Sequence, residues 1–198
     1  MRLLRTVRRA AWVAVAVSLL LAGGAWLLRD PARAPAPATV AIGGPFALTD
    51  HNGRAVSDQD YRGAYMLIYF GYINCPDICA PALNNMSAAL DALGTAGDAI
   101  QPIFITVDPL RDTVEALAGY VPNFHPRLVG LTGTTRQTKA VAAAYSVFFK
   151  VEEHAHGDDY PVGHSGYVYL MGPDGAYLTV MSHSNAGAAM AAKIKEFL

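Results

Sequence analysis

An apolar and aromatic run over residues 65–72 leads almost directly into Cys75-Pro76-Asp77-Ile78-Cys79, and Leu83, Met86, Leu90 and Leu93 then recur at helical spacing before Gly94. The run predicts a strand buried on both faces, and the period after it predicts a helix. A buried strand feeding straight into a helix commits the chain to a sheet covered by helices. The alternation continues. Residues 100–107 read as a second buried strand broken by Asp108-Pro109, 113–121 as a helix, 128–131 as a short strand and 134–145 as a helix. Asn52-Gly53 supplies a tight turn between residues 46–49 and 54–57, and Gly172-Pro173-Asp174-Gly175 separates two strands, 167–171 and 177–181, before a closing helix over 188–198. This order predicts an α/β fold with a mixed central sheet and helices on both faces.

With 198 residues, a single domain and a short extension account for the chain. The extension is at the N-terminus. Arg2, Arg5, Arg8 and Arg9 form a basic tip (residues 1–9), and residues 10–28 carry no charge, with Trp12 and Trp26 near the two ends. At about 1.5 Å per residue such a helix approaches the ~30 Å hydrocarbon core of a bilayer. The arginines before it outnumber those soon after, so the basic end stays inside and the body is exported. A cleaved signal peptide is the alternative, but the apolar run exceeds the roughly 7–15 residues of a signal core. Residues 29–39, rich in Pro and Ala, read as a stiff spacer, and residues 40–198 as the folded domain. Such an organisation fits a bacterial inner-membrane protein with one span and its C-terminal domain in the periplasm. Residues 34–198 hold nine basic against fifteen acidic side chains, which excludes the basic surface that nucleic acid requires.

The chain has only two cysteines, both at a strand-to-helix junction where open amides and the helix dipole favour thiolates. Pro76 disfavours helical angles at Cys75, and Pro81 fits a first turn, so residues 75–80 are expected to form a turn with the helix beginning near Pro81. Two thiolates so placed can attack disulfides or hold a soft metal ion. A purely structural disulfide closes too small a loop to stabilise much. Zinc usually takes four protein ligands in a structural site, whereas two thiolates and one imidazole suit Cu(I). Six histidines compete for the third position. His164 lies in Val162-Gly163-His164-Ser165-Gly166, read as a flexible turn able to fold over the cysteines. His154 and His156 sit in an acidic stretch, read as solvated; His51 and His125 read as surface residues; His183 has no evident companion. Asp108 and Asp112 read as helix capping and loop closure rather than paired acid-base groups.

The segments Gly44-Pro45-Phe46, Tyr69-Phe70-Gly71-Tyr72, Cys75-Pro76-Asp77-Ile78-Cys79, Phe104-Ile105-Thr106-Val107-Asp108-Pro109 with Arg111-Asp112-Thr113, Gly130-Leu131-Thr132-Gly133 and His164-Ser165 occur in one order. Together they resemble the Sco/SenC family of copper-binding cytochrome c oxidase assembly proteins. The resemblance implies a thioredoxin-like fold on a single transmembrane anchor, with copper, as Cu(I) and in some states Cu(II), held by Cys75, Cys79 and His164. It implies a metallochaperone rather than an enzyme. Its partners would be the copper-binding subunit of the oxidase, whose binuclear copper centre it helps assemble, and a periplasmic copper donor or thiol reductant. The alternative it leaves open is a thiol-disulfide reductase or redox sensor, in which Cys75 and Cys79 form a redox-active disulfide. Two positions depart from the family pattern: Gly163 stands where an Asp usually precedes the histidine, and Ala80 where a proline usually follows the second cysteine.

Overall fold

The computed structural model describes residues 2–27, 42–151 and 160–198. The Pro/Ala spacer at 29–39, the expected domain start at 40, and His154 and His156 lie outside the described residues. Two units are present, Met1–Val40 and Ala41–Leu198. The first contains one helix, α1 (Arg2–Leu27), which overlaps the span expected at 10–28. Among the described residues no helix is long and apolar enough to cross a membrane. Four arginines take up the first third of α1, and the expected span runs on into Leu28, beyond the described helix.

In the second unit the apolar run becomes β3 (Tyr65–Gly71), an interior strand of a seven-stranded sheet. Its neighbours are β4 (Ile100–Thr106), parallel, and β8 (Tyr167–Met171), antiparallel. β5 (Val129–Thr132) extends the parallel part, and β1 (Ala47–Asp50), β2 (Ala55–Ser57) and β9 (Tyr177–Ser182) complete the order β2-β1-β5-β4-β3-β8-β9. Pairing on both sides with no solvent-facing surface explains why β3 and β4 lack alternation in sequence. Gly53, at φ +82°, makes the β1–β2 turn as expected.

Successive residues of β3 point to opposite faces. Tyr69 meets Cys79 at the start of α2 (Cys79–Leu93), whereas Phe70 packs on Tyr145 at the end of α4 (Thr135–Ala144), so helices cover both faces. α2 packs against α5 (Gly187–Ile194), and α3 (Val114–Tyr120) lies along β5. This is the expected thioredoxin-like arrangement. Thr134 caps α4 in a reciprocal box with Gln137, which fixes the start of that helix.

Three expectations need correction. Helix α2 begins at Cys79 rather than near Pro81. The first four helical N–H groups have no partner within the helix, so proline is tolerated at its third position as well as its first. Residues 162–166 are not simply a flexible turn: β7 (Val162–His164) pairs antiparallel with β6 (Phe149–Val151) in a separate two-stranded sheet. Three-residue strands carry too little pattern to be seen in sequence. Finally, Thr113, not Asp112, caps α3.

Candidate metal centre

Cys79 opens α2 and is fully buried, while Cys75 lies half-buried in the turn before it, its N–H bonded to the Tyr72 carbonyl at 3.3 Å. Both are free thiols. Gly71, the last residue of β3, makes room for them. A Cβ there would lie 2.7 Å from Cys79 Sγ, 3.0 Å from Phe104 and 3.1 Å from Tyr69, closer than side chains tolerate.

The two sulfurs differ electrostatically. Burial raises the pKa of Cys75, but the backbone N–H groups of Ile78 and Asp77 and a bond from Cys79 outweigh it and hold the thiol below the ordinary range. Burial pushes Cys79 well up, and the neighbouring Cys75 sulfur adds to the effect. Of the two thiols Cys75 therefore ionises first, and it is also the less buried sulfur.

The third donor comes from β7. The Tyr72 hydroxyl accepts the Val162 N–H at 3.2 Å, and Ser165 is tied to Phe148 by a backbone bond of 2.9 Å and a hydroxyl contact of 3.1 Å. Between these anchors the His164 ring meets Tyr69 and Tyr72 edge-on, at centroid distances of 6.1 and 5.8 Å. Its Nδ1 lies 3.1 Å from the Ser165 carbonyl, which can only accept, so the proton is assigned to Nδ1 and the Nε2 lone pair is free. Burial holds His164 below the usual histidine range; the Ser165 carbonyl opposes this and His183 reinforces it. The ring is thus neutral, the ligating form, and Nε2 stands 3.3 Å from Cys79 Sγ. The ligand atoms of Cys75, Cys79 and His164 lie within 4.8 Å of one another. Two sulfurs and an imidazole nitrogen at that separation converge on a volume that one soft ion fills.

Asp112 supports the loop that carries the cysteines. Its Oδ2 accepts the Ile73 N–H at 3.1 Å and the Thr106 hydroxyl at 2.6 Å, tying the loop after β3 to the end of β4. Burial pushes its carboxyl up to about 6. Asp108 bonds Arg111 and the Tyr160 hydroxyl, and Arg111 stacks on Tyr160 with 3.7 Å to the ring centroid. Loop closure was the right expectation for both acids; capping was not. His51 and His125 are half-buried rather than on the surface, and each accepts a backbone N–H, from Gly130 and Arg127. At Gly163 an added Cβ would meet nothing nearer than the Lys150 carbonyl at 4.0 Å, so packing does not impose the absence of a carboxylate beside His164. The roles of Gly71 and Tyr72 were not singled out from the sequence, although the ordered Tyr-Phe-Gly-Tyr segment contains both residues.

Among families of known proteins, the SCO1/SenC profile matches residues 34–198. The chain belongs to the SCO1/SenC family. It is 40% identical over 159 residues to Protein sco1 of Schizosaccharomyces pombe, covering 79% of this chain and 60% of that one. It is 43% identical over 156 residues to the human mitochondrial SCO1 homolog, covering 77% of this chain and 52% of that protein. The chain thus spans little more than half the length of these curated relatives. Among solved structures, copper-bound ScoI of Bradyrhizobium japonicum superposes with a TM-score of 0.73 at 39% identity, over 80% of this chain and 100% of that one. The SCO1/SenC match takes in every element from β1 to α5, and with them both cysteines and His164.

Proposed function

We propose that the chain is a membrane-anchored copper metallochaperone that binds copper through Cys75, Cys79 and His164 and assists assembly of the binuclear copper centre of cytochrome c oxidase. The observation that carries this reading is the convergence of two sulfurs and the unprotonated Nε2 within 4.8 Å. Copper is cargo here. On binding, Cu(I) displaces the thiol protons, that of Cys75 the more readily because its pKa is lowered and that of Cys79 raised, while His164 offers an unprotonated Nε2. The copper-bound state of the Bradyrhizobium relative supports the choice of ion. The recipient is the copper-binding oxidase subunit, and the supplier a periplasmic copper donor or thiol reductant. Residues 10–28 form the anchor in the bacterial inner membrane with the domain in the periplasm, a reading supported by the uncharged run behind four arginines.

A second reading, thiol-disulfide reduction, is favoured by the unequal thiols: the half-buried Cys75, the more accessible of the two, attacks a disulfide of the target, and Cys79 resolves the mixed disulfide, leaving the Cys75–Cys79 pair oxidised and the target reduced. Titration of the reduced chain with Cu(I) in competition with a chelator separates the two. One ion per chain is expected, with His164→Ala weakening binding more than about a hundredfold, beyond what loss of an outer partner costs a metal site. Unchanged binding in His164→Ala, with disulfide reduction dependent on both cysteines, would select the reductase.

A further inference from the structure

His183 lies just past β9, and the fold fixes its backbone while leaving its ring without a partner. Its N–H donates to the Gly166 carbonyl at 2.9 Å, its carbonyl accepts the Asn85 side-chain amide of α2 at 3.1 Å, and the hydroxyls of Ser182 and Ser184 on either side bond each other at 2.8 Å. Among the described residues, neither ring nitrogen has a hydrogen-bond partner. The ring rests against Gly166, where a Cβ would come within 2.3 Å of Cδ2 and 3.0 Å of Nε2. A glycine two residues after the ligand histidine thus gives the second imidazole its place.

Both histidines line one surface pocket of about 430 Å³, together with Ile78, Ser165 and Gly166. Ile78 belongs to the turn between the cysteines, so the pocket borders the metal centre at His164 and at the loop that carries the sulfurs. His183 is half-buried, and its ring lines the same pocket as that of His164. Cys79, by contrast, is fully buried, and no incoming protein can replace all three ligands at once. Exchange has to proceed one donor at a time through the open side. An imidazole nitrogen at the lip binds Cu(I) but less tenaciously than a thiolate, which suits a donor that must also let go.

We propose that His183 is a transit ligand, which takes up a Cu(I) ion leaving or entering the Cys75–Cys79–His164 centre and lowers the barrier to its exchange with a partner. This rests on the copper reading above. It requires no electron transfer, since the ion stays Cu(I) and one donor replaces another.

The test loads the reduced full-length chain with one equivalent of Cu(I) and follows its withdrawal by a bathocuproine-type chelator in stopped flow. His183→Gln and His183→Ala should slow release by about tenfold, the lower end of what side chains just outside the ligand set contribute to metal sites, while equilibrium affinity shifts less than about twofold. His183→Met, which restores a soft donor, should release at nearly the original rate. Release from His183→Gln at the original rate overturns the inference, as does His183→Met as slow as His183→Gln. If His164→Ala weakens binding while His183→Gln changes nothing, only the transit role falls. If the unmodified chain takes up no Cu(I), the copper reading falls and the transit role with it.

Discussion

The sulfur side of the site and the histidine side rest on unequal foundations. The cysteines follow a seven-residue interior strand, paired along its length with β4, and Cys79 opens a fifteen-residue helix packed on α5. His164 ends a three-residue strand that, among the described residues, pairs only with another three-residue strand, and Phe148, Lys150 and Val151 beside it are exposed. The histidine side is held to the rest by Val162, the one residue of the two strands buried in the core, by the packing of Phe149, and by a few polar ties such as that to the Tyr72 hydroxyl. An ion bridging the two joins a stiff half to a soft one, so copper binding should stabilise the β6–β7 sheet more than the core.

The sharpest way to break this comparison is to damage the stiff half. Phe104 is fully buried between Tyr69 and Tyr120. Phe104→Ala should cost about 3–5 kcal/mol in urea denaturation and unfold both halves together. Asp112 gives the next largest effect, through pH. Its carboxyl, raised from 3.8 to about 6, keeps its proton longer in the folded state than in the unfolded chain. Below that window both states are protonated; as pH rises through it the unfolded state ionises first, and stability falls by roughly 3 kcal/mol. Asp112→Asn should flatten the urea midpoint between these pH values. Gly71→Ala drives a methyl group onto Cys79 Sγ and should cost about 1–3 kcal/mol, with Cu(I) affinity falling as the sulfur is displaced. Tyr72→Phe is the mildest. It removes the acceptor for the Val162 N–H and should lower global stability by only about 1 kcal/mol. Amide exchange at Val162 should nevertheless rise, and Cu(I) affinity should drop by about tenfold. A loss of global stability in Tyr72→Phe equal to that of Phe104→Ala would mean that the two halves form one cooperative block.

Sequence reading follows the same division. β3, α2, β4 and the Gly172–Gly175 turn were legible because buried strands, helical periods and turn residues act over short range. The β6–β7 pairing was not, since Phe149 and His164 meet across fifteen positions in strands of three residues. The start of α2 was misplaced by reading Pro81 as its first residue. His183 seemed isolated because its nearness to His164 runs through Gly166, on a neighbouring strand connection.

The amino-acid order alone settled the alternating α/β framework, the placing of two thiols at a strand-to-helix junction, and the family, because each is written in contiguous residues whose local preferences agree. Only the tertiary structure decided which cysteine is the more accessible, which histidine nitrogen is free and what holds the ring over the sulfurs. Those outcomes depend on burial and on hydrogen bonds between segments up to 90 residues apart, such as Tyr72 to Val162, and no local pattern encodes them.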